Sequence, residues 1–168
     1  MAKILKNIAA VGGDLSHPLL ETRPTQRSAV LVLTGNRGLC GGYNSNAVKQ
    51  AMGLLGQWSG DNTETHVTVS GKRGINALKF RGISIDEEHL DFEDKPAFNE
   101  VAPIGTSYLN AYIQGDIARL DVVYTRFVNI AKQEAIVETL LPLKPAVDEA
   151  VSYTHLRAHE TRHDLVCR

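Results

Sequence analysis

The sequence predicts an α/β sandwich in which helices flank a largely parallel sheet. Short apolar segments typical of buried strands alternate along the chain with segments of helical periodicity. A glycine-rich turn joins the first predicted strand to the first predicted helix, as it does in nucleotide-binding α/β domains. The expected fold class is therefore Rossmann-like.

The first strand is predicted at 28–34 (SAVLVLT), whose five central residues are all apolar. The glycine turn (GNRGLCGGYNSN) follows at 35–46. Its glycine spacing matches neither G-x-G-x-x-G nor G-x-x-x-x-G-K-[ST], so the turn suggests a fold but no nucleotide. A helix is predicted to begin near Asn46, with Ser45 as its N-cap. Its apolar stripe consists of Val48, Ala51, Met52 and Leu55.

A second strand is predicted at 66–70 (HVTVS), and a short helical segment begins at Gly71. A brief third strand is predicted at 82–85. The acidic run at 86–95 is expected to be a solvated loop, because its spacing matches no calcium loop. The apolar residues of the short helix are Ile75, Leu78 and Phe80.

A third helix is predicted from Pro96 and ends at Gly115, a residue that terminates helices readily. Pro103 and Gly105 are expected to kink or split this helix, because proline lacks the N–H that the helix requires. Its apolar side chains recur on related faces. They are Phe98, Val101, Ala102, Tyr108, Leu109, Tyr112 and Ile113.

Two strands, at 122–128 and 135–141, complete the predicted sheet. Residues 4–8 are expected to be the end of a helix. The composition changes abruptly near residue 150, so one globular domain is predicted at 1–150 and a separate tail at 151–168. One domain agrees with a length of 168 residues and a hydrophobic content of 43%.

Charge and composition exclude several functions. A net charge of -1 gives no overall attraction to nucleic acid or to an anionic bilayer, and no long basic run provides a local one. No apolar stretch approaches the roughly 20 residues of a membrane-spanning helix, and a soluble protein is expected. The cysteines at 40 and 167 lie too far apart in sequence to suggest a disulfide scaffold, which favours an intracellular compartment.

The glycine turn also resembles a known family. The gamma subunit of the F-type ATP synthase carries an RGLCGG turn after its first sheet strand, and residues 37–42 reproduce it. Asn44 and Asn46 follow in step. Gly35 and Asn36 replace the Ser-Asp pair usual in the family, a change that keeps a polar turn. Further matches in the same order are His17-Pro18, the GKRG at 71–74, the segment 112–127 and the LLPL at 140–143.

The resemblance covers about residues 3–143 and implies a function. It implies a non-catalytic rotor subunit of the central stalk, which couples proton flow through a membrane ring to ATP synthesis by rotation. The implied partners are the alpha and beta subunits, the epsilon subunit and the membrane c-ring, with no nucleic acid. The implied location is peripheral, on the cytoplasmic face of a bacterial inner membrane. The long coiled-coil helices of the family are missing from the recognisable sequence.

No catalytic residue, cofactor or metal is expected, so the candidate site is a subunit interface. Small residues allow close approach of another protein, and Arg37 offers a fixed charge for carboxylates. The resemblance implies that this turn lies near the lower lobes of the catalytic subunits. An ordinary strand-to-helix connection is the alternative interpretation. The interface candidates are Arg37, Gly38, Leu39, Cys40, Gly41, Gly42 and Asn44.

Two other chemistries are conceivable for residues near the glycine turn. Cys40 precedes a predicted helix, where reactive thiols occur, but no histidine is close in sequence and a small buried cysteine is expected. Lys72 and Arg73 follow the second strand, where an NADP-binding oxidoreductase domain holds its phosphate. A solvated loop pair is the simpler expectation for them.

The tail contains a sequence pattern typical of zinc metalloproteases. Residues 159–163 spell H-E-x-x-H, which on a helix presents two imidazoles and a glutamate to zinc. Only five residues follow it, which leaves no room for the usual third ligand. The tail is predicted to be disordered or a loose helix, and its composition resembles read-through of a sequencing adapter.

Overall fold

The computed structural model describes residues 18–24, 27–92, 96–129 and 132–143. The predictions for 4–8 and for the tail at 151–168, with its H-E-x-x-H motif, lie outside these residues. The described elements, in chain order, are β1 (Arg27–Leu33), α1 (Tyr43–Gly60), β2 (Glu64–Ser70), α2 (Lys72–Phe80), β3 (Glu87–His89), α3 (Phe98–Gln114), β4 (Arg119–Asn129) and β5 (Lys132–Leu141).

The five strands form one sheet in the order β3-β2-β1-β4-β5. β1 is parallel to both β2 and β4, and β2 is parallel to β3. Only β5 runs antiparallel, because it returns from β4 as a hairpin. The predicted α/β class with a largely parallel sheet is therefore confirmed.

Helices cover both faces of the sheet. Side chains of a strand alternate between faces, so Val30 and its neighbour Ala29 belong to different hydrophobic clusters. The first cluster joins β1 and β2 to α1 and α2. The second joins the sheet to Tyr108 and Tyr112 of α3. The sheet is thus the middle layer of three.

Helix α1 begins earlier than predicted, at Tyr43 rather than near Asn46. Gly42 occupies the N-cap position with no side-chain cap, so the prediction of Ser45 as N-cap is wrong. The hydroxyl of Ser45 instead donates to the Gly42 carbonyl at 3.3 Å from inside the first turn. The predicted stripe is buried except for Met52, and Leu54 and Trp58 complete the buried face.

The third strand lies at Glu87–His89, inside the acidic run, and not at 82–85. Gly82, with φ of 75°, still belongs to the turn that ends α2. The backbone of Asp86 donates to Val67 O at 2.9 Å, and its carboxylate accepts from Val67 N at 2.7 Å. These bonds bring the acidic run to the sheet edge, so it is not simply a solvated loop.

Helix α3 is continuous from Phe98 to Gln114, although Pro103 lies inside it. The predicted split is therefore wrong. Proline removes the bond to the carbonyl of Asn99, and that residue is exposed, so solvent can replace the lost donor. Gly115, with φ of 86°, ends the helix as predicted. Of the predicted apolar residues, only Tyr108 and Tyr112 are fully buried.

The two ends of the described domain meet beside α3. Leu143 N donates to Leu19 O at 2.8 Å. The hydroxyl of Tyr112 donates to Glu21 O at 2.6 Å, and Arg23 donates to Tyr112 O at 2.6 Å. Residues 18–24 are thereby fixed to α3 and to the end of β5. Within the described ranges, no helix is long and apolar enough to cross a membrane.

Candidate subunit-interface site

The glycine turn leaves the sheet at the carboxyl ends of β1 and β2. Thr34 N donates to Ser70 O at 2.8 Å, which extends the pairing of the two strands by one bond. The hydroxyl of Thr34 donates to the same Ser70 carbonyl at 2.9 Å and accepts from Gly74 N at 3.0 Å. One side chain therefore joins the end of β1 to the first turn of α2.

Asn44 closes the turn from inside α1. Its Oδ1 accepts from Gly35 N at 2.8 Å. Its Nδ2 lies 2.9 Å from Cys40 Sγ and 3.3 Å from Arg37 O. One amide side chain thus holds both the beginning and the middle of the turn, which explains an asparagine at this position.

Asn36 ties the turn to two other elements. Its Oδ1 accepts from Lys72 N at 2.9 Å, and its Nδ2 donates to Phe92 O at 2.9 Å. Arg73 N also donates to Gly35 O at 3.3 Å. Lys72 and Arg73 are the first two residues of α2, so their expected position in a loop is wrong.

The tip of the turn projects into solvent. Leu39 is fully exposed and has φ of 61°, a left-handed conformation that is unusual for a leucine. Gly41 also has a positive φ, of 56°. Cys40 is exposed, and the expectation of a buried cysteine is therefore wrong. The reason is that Asn44 holds the turn outside the core, so no hydrophobic layer covers the thiol.

Gly38 allows Arg73 to lie across the turn. A Cβ atom at Gly38 would be 2.5 Å from Arg73 Nη2 and 2.8 Å from its Cζ. A larger residue at Gly38 would displace this guanidinium. The position of Arg73 beside the turn was not predicted, because it depends on the pairing of β1 with β2 and not on proximity in sequence.

A groove of about 480 Å³ lies beside the turn, between the sheet and α3. Its walls include apolar side chains of both and also Arg37, Cys40 and His89. In the part of the chain that the structure describes, no group of three or more His, Cys, Asp or Glu side chains could hold a metal ion.

The turn lacks the geometry of an NADP site. A pyrophosphate needs a glycine whose backbone is open to it. At Gly38 the guanidinium of Arg73 already occupies the space. The backbone N–H groups of Lys72 and Gly74 are likewise bonded to Asn36 and Thr34. Gly41 is open, since a Cβ there would meet no atom within 4 Å, but the glycines at 35, 38, 41 and 42 do not have the G-x-G-x-x-G spacing of a dinucleotide-binding turn.

The three layers, the mostly parallel sheet and the turn at its carboxyl edge define a Rossmann-like domain. Comparison with known proteins identifies the family. The family model described as "ATP synthase" matches residues 1–166. The ATP synthase gamma chain of Rhodopirellula baltica is 48% identical over 153 residues, which cover 90% of this chain and 52% of that protein. The chain therefore belongs to the ATP synthase family, among its gamma chains.

Other relatives and solved structures agree. The gamma chain of Staphylococcus saprophyticus is 29% identical over 98% of this chain and 58% of its own length. The central stalk and c-ring structure of Tetrahymena thermophila mitochondrial ATP synthase matches with a TM-score of 0.62 and 22% identity, over 84% of this chain and 58% of that one. The Euglena gracilis rotor matches with a TM-score of 0.52 and 19% identity, over 83% and 52%. These structures show the shared fold.

The chain spans about half the length of the curated relatives it matches. Six of the seven candidate residues, 37–42, lie together in the turn, and the seventh, Asn44, holds the turn from the first turn of α1. Their role in an interface remains a proposal. Thr34, Asn36, Gly71 and Arg73 support the same turn, and the sequence patterns did not single out Thr34, Asn36 or Gly71 for that role.

Proposed function

We propose that this chain forms the globular domain of a gamma subunit, a rotor element of the central stalk. In this role it couples proton flow through the membrane c-ring to ATP synthesis on the alpha and beta subunits by rotation. The domain itself is non-catalytic and transmits torque. Family membership and the shared fold of the central-stalk structures support this proposal.

The observation that carries the proposal is that the two ends of the described domain meet. Leu19 and Leu143 are joined by a backbone hydrogen bond of 2.8 Å and both pack against the cluster beside α3. Segments that precede and follow the domain would leave it from the same place. A shaft made of two helices requires this arrangement, because the two helices must start side by side.

The glycine turn is the proposed contact with the catalytic head. Hydrogen bonds of Asn44 and Thr34 hold the turn at the edge of the sheet, and Leu39 at its tip is fully exposed. The epsilon subunit and the c-ring are the other proposed partners. The proposed location is the cytoplasmic face of a bacterial inner membrane, with the protein attached only through these partners.

The 168 residues alone are not expected to support rotation. Torque needs the whole subunit, and this chain spans only about half the length of the curated gamma chains it matches. Expression of this chain in a gamma-deleted strain should therefore leave ATP synthesis absent. Restored synthesis by this chain alone would contradict the claim.

Binding to epsilon tests the proposal. Light scattering of the 168-residue chain, titrated with a bacterial epsilon subunit, should show a 1:1 complex. NADPH and zinc serve as controls, because the oxidoreductase and metalloprotease alternatives require one or the other. Saturable NADPH binding without epsilon binding would overturn the proposal.

A further inference from the structure

We propose that a cavity at the amino-terminal edge of the sheet binds a small organic ammonium ion, in which a primary amine is attached to an apolar chain. The cavity has a volume of about 600 Å³, a size typical of small-molecule sites. Its walls include Arg27 and Glu64, the first residues of β1 and β2, so it lies at the opposite end of these strands from the glycine turn. Binding here goes beyond the proposed function and does not depend on it.

The cavity lies between α3 and the sheet. The hydroxyl of Tyr108 donates to Thr68 Oγ1 at 2.6 Å, and this buried contact joins the middle of α3 to β2. Ser107 and Ala111 lie on the cavity side of the same helix, and their short side chains leave the space beside Tyr108 unfilled. A large side chain that reaches the sheet and small side chains next to it therefore produce the cavity.

One wall of the cavity is apolar. It consists of Pro103, Ile104 and Ala111 of α3 together with Ile117, which follows the helix. Ile104 and Ala111 are two helical turns apart and so lie on the same face of α3. Methylene groups of a ligand that contact this wall are removed from water, which favours a ligand with an apolar portion.

The remaining walls carry an excess of negative charge. Among the described residues that line the cavity, four have carboxylates and Arg27 is the one arginine or lysine. Arg27 Nε donates to Glu64 Oε2 at 2.6 Å, and this hydrogen bond, with a smaller contribution from the charge of Asp116, raises the pKa of Arg27. Arg27 is therefore already shared by two carboxylates. The four carboxylates are those of Glu64, Asp86, Glu87 and Asp116.

The carboxylates of Asp86 and Glu87 have no lysine or arginine partner within the described part of the chain. Between them lies His66, with Nδ1 3.8 Å from Asp86 Oδ2 and Nε2 3.6 Å from Glu87 Oε1. Asp86 Oδ2 also accepts from Val67 N at 2.7 Å, which fixes this carboxylate before a ligand binds. A group held in this way loses little conformational freedom on binding.

The charge and the apolar wall together specify the ligand. A cleft lined by one sign of charge beside apolar walls concentrates the electric potential and attracts the opposite charge. No group of three or more His, Cys, Asp or Glu side chains in the described ranges could hold a metal ion. An ammonium group has three donors and can bond to carboxylates that do not converge on one point. An amine on an apolar chain therefore fits this cavity better than an inorganic cation does.

An NMR titration of the full 168-residue chain with hexylamine tests the inference at neutral pH, where hexylamine is protonated. Saturable shifts are expected at the backbone amides of the cavity walls and not at the glycine turn. Methylamine has the charge without the chain, and hexanol has the chain without the charge. Each should bind at least about tenfold more weakly than hexylamine, because each lacks one of the two interactions.

Substitutions separate the cavity from the rest of the surface. Glu87→Gln combined with Asp116→Asn removes two charges but keeps the side-chain shapes, and should weaken hexylamine binding about tenfold. Asp61→Asn is the matched control, because Asp61 is an exposed carboxylate that follows α1 and does not line the cavity. It should change the affinity less than about twofold. Ser107→Leu should abolish binding by filling the cavity, and should melt like the parent because Ser107 is exposed.

Several results would overturn the inference. They are equal affinity of hexylamine for the parent and the doubly substituted chain, shifts away from the cavity walls, and absence of saturable binding. Equal losses for the double variant and Asp61→Asn would also overturn it, since they would show non-specific attraction to surface charge. Tighter binding of acetyl-lysine amide than of hexylamine would assign the cavity to a protein side chain and equally overturn it. Epsilon binding is measured separately, so none of these results contradicts the proposed function.

Discussion

Replacing Gly71 with alanine should strongly destabilise the domain. Gly71 has φ of 100° and ψ of 130°, a region essentially restricted to glycine, and an alanine there costs about 1–3 kcal/mol. Its Cβ would lie 2.1 Å from Thr34 O, a backbone atom. Thr34 N donates to Ser70 O, and Gly71 N donates to His89 O at 3.0 Å. Moving the backbone to relieve the clash would break these hydrogen bonds, which are worth about 1 kcal/mol each. The expected total loss is about 3–5 kcal/mol.

Urea unfolding measures this loss directly. Trp58, the only tryptophan, is buried and reports unfolding by fluorescence. With a slope of about 2 kcal/mol/M, the unfolding midpoint should fall by about 1.5–2.5 M. Gly53→Ala is the matched control, because a Cβ there meets no atom within 4 Å. It should raise the free energy of unfolding by about 0.5–1 kcal/mol. Unchanged midpoints for Gly71→Ala would refute the reasoning.

Three further changes test other parts of the domain. Asn44→Ala should lower the free energy of unfolding by about 1–2 kcal/mol in the same urea assay, because Gly35 N loses its acceptor; no change would mean that solvent replaces it. Burial raises the pKa of Tyr108 above its ordinary value of 10.0. The free energy of unfolding should therefore be constant below about pH 10 and fall as the pH rises through the folded-state pKa. Tyr108→Phe should make that fall shallower, and an identical pH profile for variant and parent would contradict the prediction. Arg119→Met should lower the free energy of unfolding by about 2–3 kcal/mol, because the fully buried Asp121 carboxylate loses its ion-pair partner at 2.9 Å. The partial exposure of Arg119 keeps this loss below that of a fully buried pair. Equal melting temperatures for variant and parent would contradict the prediction.

The sheet could be predicted from sequence because its strands have strong local signals. Residues 29–33 of the predicted strand are all apolar, which is typical of a strand buried on both faces, and β1 is found at Arg27–Leu33. Gly115 was a predictable helix end, since a left-handed cap favours glycine. In each case the local preference and the tertiary structure agree.

Strand β3 could not be predicted, because its signal is not local. The residues Glu87–His89 are polar, and they form a strand only because β2 offers a free edge in register with them. The start of α1 was missed for a related reason. Asn44 bonds to Gly35, nine residues earlier, and this contact places the first helical turn before the residues that the helical periodicity selects.

The candidate turn was recognised from its resemblance to a family, and its geometry was not predictable. The exposure of Cys40 and Leu39 follows from how Asn44 and Thr34 hold the turn at the sheet edge. The approach of Arg73 to Gly38 depends on the order of β1 and β2 in the sheet. Neither the exposure of these two residues nor the position of Arg73 can be predicted from residue spacing along the chain.

A chimera tests the central claim most directly. Residues 18–143 of this chain would replace the matching part of the Rhodopirellula baltica gamma chain, and the rest of that protein would be kept. ATP-driven proton pumping would then be measured in inverted membrane vesicles, with the unmodified gamma chain as the reference. Pumping close to the reference is the predicted result, since the domain should connect shaft, epsilon and ring. An enzyme that assembles and hydrolyses ATP but pumps no protons would contradict the assignment of this domain to the rotor.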